Sequence, residues 1–161
     1  MVSDGTLRLR VATAGDAHLL WLWANDVETR AASFGRDPIP WPEHVAWLTR
    51  QLESGRAVVL IAESADADGA ERRQPLGSVR FDTADGWTTA RLSYVVAPES
   101  RGRALSRPLI RCAVEWLRAT HASVWVRAEV LRANTRSLRV FRGLSWVEEP
   151  SSTDLITFWF Q

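Results

Sequence analysis

Apolar positions recur along this chain with two periods, and the switches between them divide it into elements. Leu7-Arg8-Leu9-Arg10-Val11 alternates with period two and predicts a strand. Thr13 is then placed to cap a helix over residues 16–26, with Leu19 or Leu20 and Trp23 on its buried face. Pro38, Pro40 and Pro42 interrupt the chain before a second helix, in which His44, Val45, Trp47, Leu48 and Leu52 follow helical spacing and Gly55 marks the end. Residues 57–62 are apolar throughout, as in a buried strand, and residues 64–73 read as a polar loop. Residues 76–81 form a further strand, Asp85-Gly86 a turn, and residues 88–96 the returning strand. Leu105, Leu109, Cys112, Ala113, Trp116 and Leu117 make the stripe of a helix. Pro108 requires that helix either to start near Ser106 or to bend, because proline is tolerated only in a first turn. A strand over 124–130, a short helix over 134–141 and a strand over 155–160 complete the order β-α-α-β-β-β-α-β-α-β, an α+β pattern without internal repeats.

The 161 residues suit one domain over 1–161, and 46% apolar residues are ample for a core. The single cysteine, Cys112, excludes an internal disulfide and sits among helix positions that favour burial. No segment approaches the roughly 20 apolar residues of a membrane helix. The run Leu19-Leu20-Trp21-Leu22-Trp23-Ala24 lacks the flanks of a signal peptide. The expectation is a cytoplasmic protein with no membrane partner.

Net charge is only +1, but it is unevenly spread: residues 101–142 hold ten arginines against Glu115 and Glu129. Within that segment, Val95-Val96-Ala97-Pro98-Glu99-Ser100-Arg101-Gly102-Arg103-Ala104-Leu105-Ser106 passes from a strand-like run through a turn into a helix. A helix N-terminus carries partial positive charge and free N–H groups, so Arg103, Arg107 and Arg111 there oppose the dipole unless an anion sits among them. The turn therefore reads as a phosphate seat. A nucleic-acid surface would instead spread its basic residues along an exposed face without a small-residue turn in the middle, and no nucleic-acid partner is expected. All the basic residues are arginine, which excludes a lysine Schiff base within this chain.

These residues resemble the GCN5-related N-acetyltransferases (GNAT), whose pyrophosphate loop reads Arg/Gln-x-x-Gly-x-Gly/Ala. Aligned from Arg101, the two small positions are Ala104 and Ser106 in place of glycine, which would tighten the loop because alanine resists positive φ. Asn134-Thr135-Arg136-Ser137-Leu138-Arg139-Val140-Phe141 resembles the family's second motif, Asn-x-x-Ser/Ala-x-x-x-Tyr. The resemblance spans the whole chain and implies a mostly antiparallel sheet splayed around a CoA cleft, with acetyl-CoA as co-substrate and no metal. It implies pyrophosphate binding at Arg101, Gly102, Arg103, Ala104, Leu105 and Ser106. A pantetheine contact falls to the Val96 backbone, and ordering of the CoA arm to Asn134 and Ser137. Two departures stand out: the family's proton-donating tyrosine is Phe141, and its frequent glutamate base is Arg91.

An amine attacking a thioester needs deprotonation and positioning, with acid or base help worth about 10²–10⁴. Candidates for proton transfer are His44, Glu129 and Tyr94, with Asp82 and Asp26 as further acceptors. Each has a plainer role open to it: packing for His44 and Tyr94, an arginine pair for Glu129, and a turn cap for Asp82. The N-terminal third, from Trp23-Ala24-Asn25-Asp26 through Glu43-His44 to Gly77-Ser78-Val79-Arg80, resembles acetyltransferases of nucleotide-activated amino-sugar biosynthesis, notably the pseudaminic-acid pathway. It also resembles, in part, those that modify the N-terminal alanine of ribosomal proteins. Trp23, Asn25, Asp26, Arg30 and Arg80 would then contact the acceptor, with Trp41 and Trp47 available for stacking. Alternatively, Asn25-Asp26 ends the first helix and Trp23 and Trp47 belong to the core. The implied activity is acetyl transfer to a primary amine by direct attack through a tetrahedral intermediate, and the family allows a homodimer. The alternative from a different class is an acyl-CoA-binding protein without catalysis.

Overall fold

A computed structural model describes residues 5, 7–65 and 73–161. Residues 66–72 of the expected polar loop lie outside the described residues. The strands are β1 (Leu7–Val11), β2 (Ala57–Ser64), β3 (Pro75–Asp82), β4 (Thr89–Val96), β5 (Trp125–Leu131), β6 (Val147–Glu149) and β7 (Leu155–Phe160). The helices are α1 (Ala17–Asn25), α2 (Val27–Ala32), α3 (Trp41–Glu53), α4 (Ser106–Thr120) and α5 (Thr135–Gly143). The strands form one sheet in the order β1-β2-β3-β4-β5-β7-β6, antiparallel throughout except for β4 against β5.

Side-chain alternation explains why residues 57–62 carry no polar position. On β2, Leu60 and Ala62 enter a core built with Leu109, Ala113 and Leu117 of α4 and Leu138 and Phe141 of α5. Val59 and Ile61 enter a second core with Leu20 and Trp23 of α1 and Leu48 of α3. A strand covered on both faces reads as continuous apolar sequence.

Three local expectations are corrected. The first helix does not run to Asp26: Thr13 and Asp16 form a capping box on a 3₁₀ turn over Ala14–Asp16, and α1 follows. Asp26, at ψ 139, breaks the path and accepts from the Thr29 N–H at 3.1 Å, so it starts the six-residue α2, an extra helix. The strand β6 was not anticipated either, since Val147-Glu148-Glu149 is exposed at all three positions and shows no buried alternation. For Pro108 the structure chooses the first alternative. The helix α4 begins at Ser106, so the missing proline N–H falls in the first turn, where none is needed.

Candidate functional site

The parallel pairing of β4 with β5 runs from Thr89 opposite Trp125 to Leu92 opposite Ala128 and stops there. Beyond it β4 continues to Val96, held only by β3 through Gly77, and β5 continues to Leu131. The fork opens into a cleft of about 1600 Å³, lined by both diverging strands, the loop before α4, the start of α5, and residues of α1, α2 and α3. Backbone groups on the open side of residues 93–96 have no strand partner, and buried backbone polar groups seek one.

At one end of the fork a 3₁₀ turn over Pro98–Ser100 leads into the loop. Gly102 stands at φ 78 and Ala104 at φ 56. The two left-handed positions are therefore 102 and 104, two residues earlier than the alignment from Arg101 gave, and Ser106 is the first residue of α4. The expectation that alanine would resist positive φ meets an alanine that adopts it, at the strain of a Cβ in the left-handed region. No side chain caps α4 and its first turn holds no acid, so its leading N–H groups remain available to an anion. Ser100 is fully buried, lines the cleft, and has a hydroxyl without a partner. These features fit the pyrophosphate of a CoA thioester, and the open β4 edge fits the amides of its pantetheine arm. The arginines play a smaller part than their number suggested. Arg103 does not line the cleft, and the Arg107 guanidinium lies against Gly143 at the end of α5.

Arg101 lines the cleft but is already committed. Its Nη2 donates to Asp26 Oδ2 and, at 3.2 Å, to Thr29 Oγ1, and its Nη1 lies 3.5 Å from Glu28 Oε2. Glu28 Oε2 also accepts from Arg136 Nη1 at 3.0 Å, so α2 is tied both to the loop and to α5. The Arg101 guanidinium holds the Asp26 carboxyl below its usual range. Asn134 caps α5, accepting from the Ser137 N–H at 3.2 Å, and both residues line the cleft. Leu105 and Val96 line it as well.

The expected acceptor residues separate into two groups. Asn25 is bonded through both side-chain polar atoms to the Ile39 backbone. Arg30 donates to the carbonyls of Ala24 and Gly35, at 2.6 and 2.9 Å, and to Ser33 Oγ. Asp26 is held by Arg101, and Trp23 is 3% exposed within the second core. Trp23 and Arg30 line the cleft while Asn25 and Asp26 do not, and all four are occupied in holding the structure, as in the plainer reading of Asn25-Asp26 and Trp23. Arg80 differs: it lines the cleft, its guanidinium carbon lies 5.3 Å from the Trp47 ring centroid, and its Nε donates to Asp82 Oδ2 at 2.9 Å.

Among the proton-transfer candidates, Glu129 lines the cleft but is bound by Arg127 at 2.6 Å and approached by Arg91 at 3.7 Å. Arg91 also reaches Asp82 at 3.5 Å. The sequence Arg80-Asp82-Arg91-Glu129-Arg127 is thus a charge ladder across three strands, in which both carboxylates are neutralised. His44 is 3% exposed, stacked on Trp41 with the Trp47 ring tilted against it, and lines the cleft. Burial pushes its imidazole below the usual histidine range, partly offset by a hydrogen bond to the Ala17 backbone, and its Nε2 has no partner. Tyr94 lines the cleft, its hydroxyl 3.0 Å from Ser137 Oγ. Ser100, Glu28, Thr29 and Arg136 were not singled out from sequence. Asp26 as an N-cap is the signal that would have found the start of α2, while the contacts of α2 with Arg101 and Arg136 come from distant parts of the chain.

No group of three or more His, Cys, Asp or Glu among the described residues is placed to hold a metal. Nor is any described helix long and apolar enough to cross a membrane. The model of the family described as acetyltransferase (GNAT) domain matches residues 6–145. No curated protein matches the chain in sequence. Among solved structures, spermidine N-acetyltransferase from Vibrio cholerae in complex with CoA and spermine is similar with TM-score 0.83 and 16% identity, over 98% of this chain and 96% of that one. A domain from Methanocaldococcus jannaschii DSM 2661 is similar with TM-score 0.80 and 17% identity, over 96% and 97% of the two chains. A dodecameric form of the Vibrio cholerae enzyme, in an intermediate state, is similar with TM-score 0.76 and 17% identity, over 98% and 94%.

Proposed function

The chain belongs to the GNAT acetyltransferases, enzymes that use acetyl-CoA, and from that membership we propose that it acetylates the primary amine of a small acceptor by direct attack on the thioester. One observation carries the reading: β4 and β5 part after Leu92 and Ala128, beside a loop whose left-handed residues Gly102 and Ala104 lead into an uncapped α4 N-terminus. The amides of residues 102–106 and the Ser100 hydroxyl take the pyrophosphate, the β4 edge up to Val96 takes the pantetheine, and Asn134 with Ser137 orders the arm. His44 is the base, since its neutral imidazole has an unpartnered Nε2. Glu129, held by Arg127 and Arg91, takes no proton in this reading.

For the acceptor we propose a nucleotide-linked amino sugar. Support comes from the resemblance of the N-terminal third together with Arg80 beside the Trp47 ring in the cleft, an arrangement suited to an anionic, ring-bearing molecule. The same reading places the protein in the cytoplasm, where Cys112 remains a buried thiol, and assembles it as a homodimer.

Titration calorimetry with acetyl-CoA, with ATP as control, tests the cofactor, and an amine panel spanning nucleotide amino sugars, alanyl peptides and spermidine tests the acceptor. Micromolar binding that ATP does not mimic, with turnover of the amino sugar, is expected. Binding without turnover of any amine would favour the non-catalytic acyl-CoA binder, in which Phe141 and Arg91 mark lost chemistry. Failure to bind acetyl-CoA would remove the enzyme reading.

A further inference from the structure

Breaking a thioester C–S bond leaves a thiolate that must be protonated, and the helix position where the resemblance puts a donor holds Phe141, a ring with no proton to give. A hydroxyl reaches the same helix from the sheet instead, one turn before that position. Tyr94 lies on β4 two residues beyond Leu92, the last residue paired with β5, and so stands in the open fork. Its hydroxyl is 3.0 Å from the Oγ of Ser137, which precedes Phe141 by one turn of α5. The rings of Tyr94 and Phe141 meet edge to face, 6.0 Å between centroids. The phenol and the phenyl ring thus share one wall of the cleft.

We propose that Tyr94 is the acid that protonates the departing CoA thiolate, with Ser137 as the positioning residue that aims its hydroxyl. The inference rests on the acetyltransferase reading above. The amine nitrogen bonds to the thioester carbon and gives up its proton to the base. As the carbonyl re-forms, the C–S bond breaks with its electron pair going to sulfur. The Tyr94 O–H bond then breaks as the S–H bond forms. The phenolate recovers a proton from solvent through the Ser137 hydroxyl, balancing the one released by the amine, so that the net products are amide and CoA thiol.

Burial pushes the Tyr94 phenol up, while the hydrogen bonds of Ser137 and Ser106 and the charge of Arg136 pull it down by less. Its proton therefore stays in place at neutral pH. A thiol ordinarily ionises near 8.5 and a phenol near 10, so transfer from Tyr94 to sulfur is uphill and is drawn to completion by reprotonation of the phenolate through Ser137.

The test compares CoA with desulfo-CoA, which lacks the sulfur, by calorimetry at pH 9, where the thiol is largely ionised. The native protein is expected to prefer CoA about tenfold, the scale of one hydrogen bond to a charged acceptor. Tyr94→Phe should lose that preference while binding desulfo-CoA as before, which also establishes that the variant is folded. Its kcat for acetyl transfer should fall about 10²-fold with the KM for acetyl-CoA nearly unchanged. Ser137→Ala keeps the phenol but not its aim: the preference should drop severalfold. The titration of Tyr94, the chain's only tyrosine, should also move further up in absorbance. An undiminished preference for CoA in Tyr94→Phe, or a kcat within twofold of native, would overturn the assignment and leave the acetyltransferase intact. Binding of neither ligand to the native protein would overturn both.

Discussion

The guanidinium of Arg101, in the loop before α4, donates to the carboxylate of Asp26 at the start of α2, joining residues 75 positions apart. Asp26 also caps α2, which has no buried residue of its own. The helix is held chiefly by these polar ties. Asp26→Ala should cost about 1–2 kcal/mol through the lost cap and pair, read from urea unfolding. Because the folded Asp26 pKa is depressed, its contribution is present above the unfolded value near 3.9 and is lost as pH falls through the folded value. The acid limb of stability should therefore flatten in the variant. Arg101→Ala should weaken acetyl-CoA binding less than tenfold, because the guanidinium is occupied and the backbone carries the seat.

His44 sets a second pH window. Its imidazole is depressed by burial, so folding favours the neutral ring. That part of stability is complete above about 6.5 and declines as pH drops toward the folded value. As a base, the ring is already competent at neutral pH. The acid limb of kcat/KM should fall below 6.5, and His44→Gln should remove it while lowering kcat about 10²-fold. A limb that persists unchanged in the variant would assign the base elsewhere.

Gly102 and Ala104 share left-handed backbone but should respond in opposite ways. A Cβ at Gly102 meets no atom within 4 Å, so Gly102→Ala carries only the conformational penalty, about 1 kcal/mol. Ala104→Gly relieves the same strain at φ 56. It gives part of that back through a more flexible unfolded chain. We expect Ala104→Gly to be neutral to stabilising in thermal unfolding and to tighten acetyl-CoA in calorimetry, with Gly102→Ala weakening both.

Two other glycines distinguish rigid from yielding neighbours. A Cβ at Gly77, the residue paired with Val96 behind the fork, would strike the Val95 carbonyl oxygen and crowd Leu109 Cδ2 at 3.3 Å. Backbone cannot step aside, and Gly77→Ala should cost about 3 kcal/mol or prevent folding. At Gly143 the obstacle is the Arg107 guanidinium, the end of a flexible side chain. Gly143→Ala should therefore cost less than 1 kcal/mol in the same denaturation experiment.

Much of the architecture was legible because it depends on local periodicity. The alternation at Leu7–Val11, the continuous apolar run of β2, the stripe from Leu105 to Leu117 and the proline at position 108 each specify an element through interactions a few residues long. The elements that escaped, α2 and β6, are six and three residues long and bury nothing. They leave no hydrophobic period to read.

By itself the sequence determined where strand passes through a small-residue loop into helix, and hence where an anion seat is to be expected, before α4. Turn chemistry and helix polarity are written within a dozen consecutive residues. Only the tertiary structure decided which polar side chains are free to act. Asn25, Asp26, Arg30 and Glu129 carry the right chemistry but are held by Ile39, Arg101, Ala24 and Arg127. Tyr94 and His44 retain atoms turned to the cleft or without partners. Whether a charge is available depends on partners brought close by the fold from distant parts of the chain, and residue type and spacing do not encode that commitment.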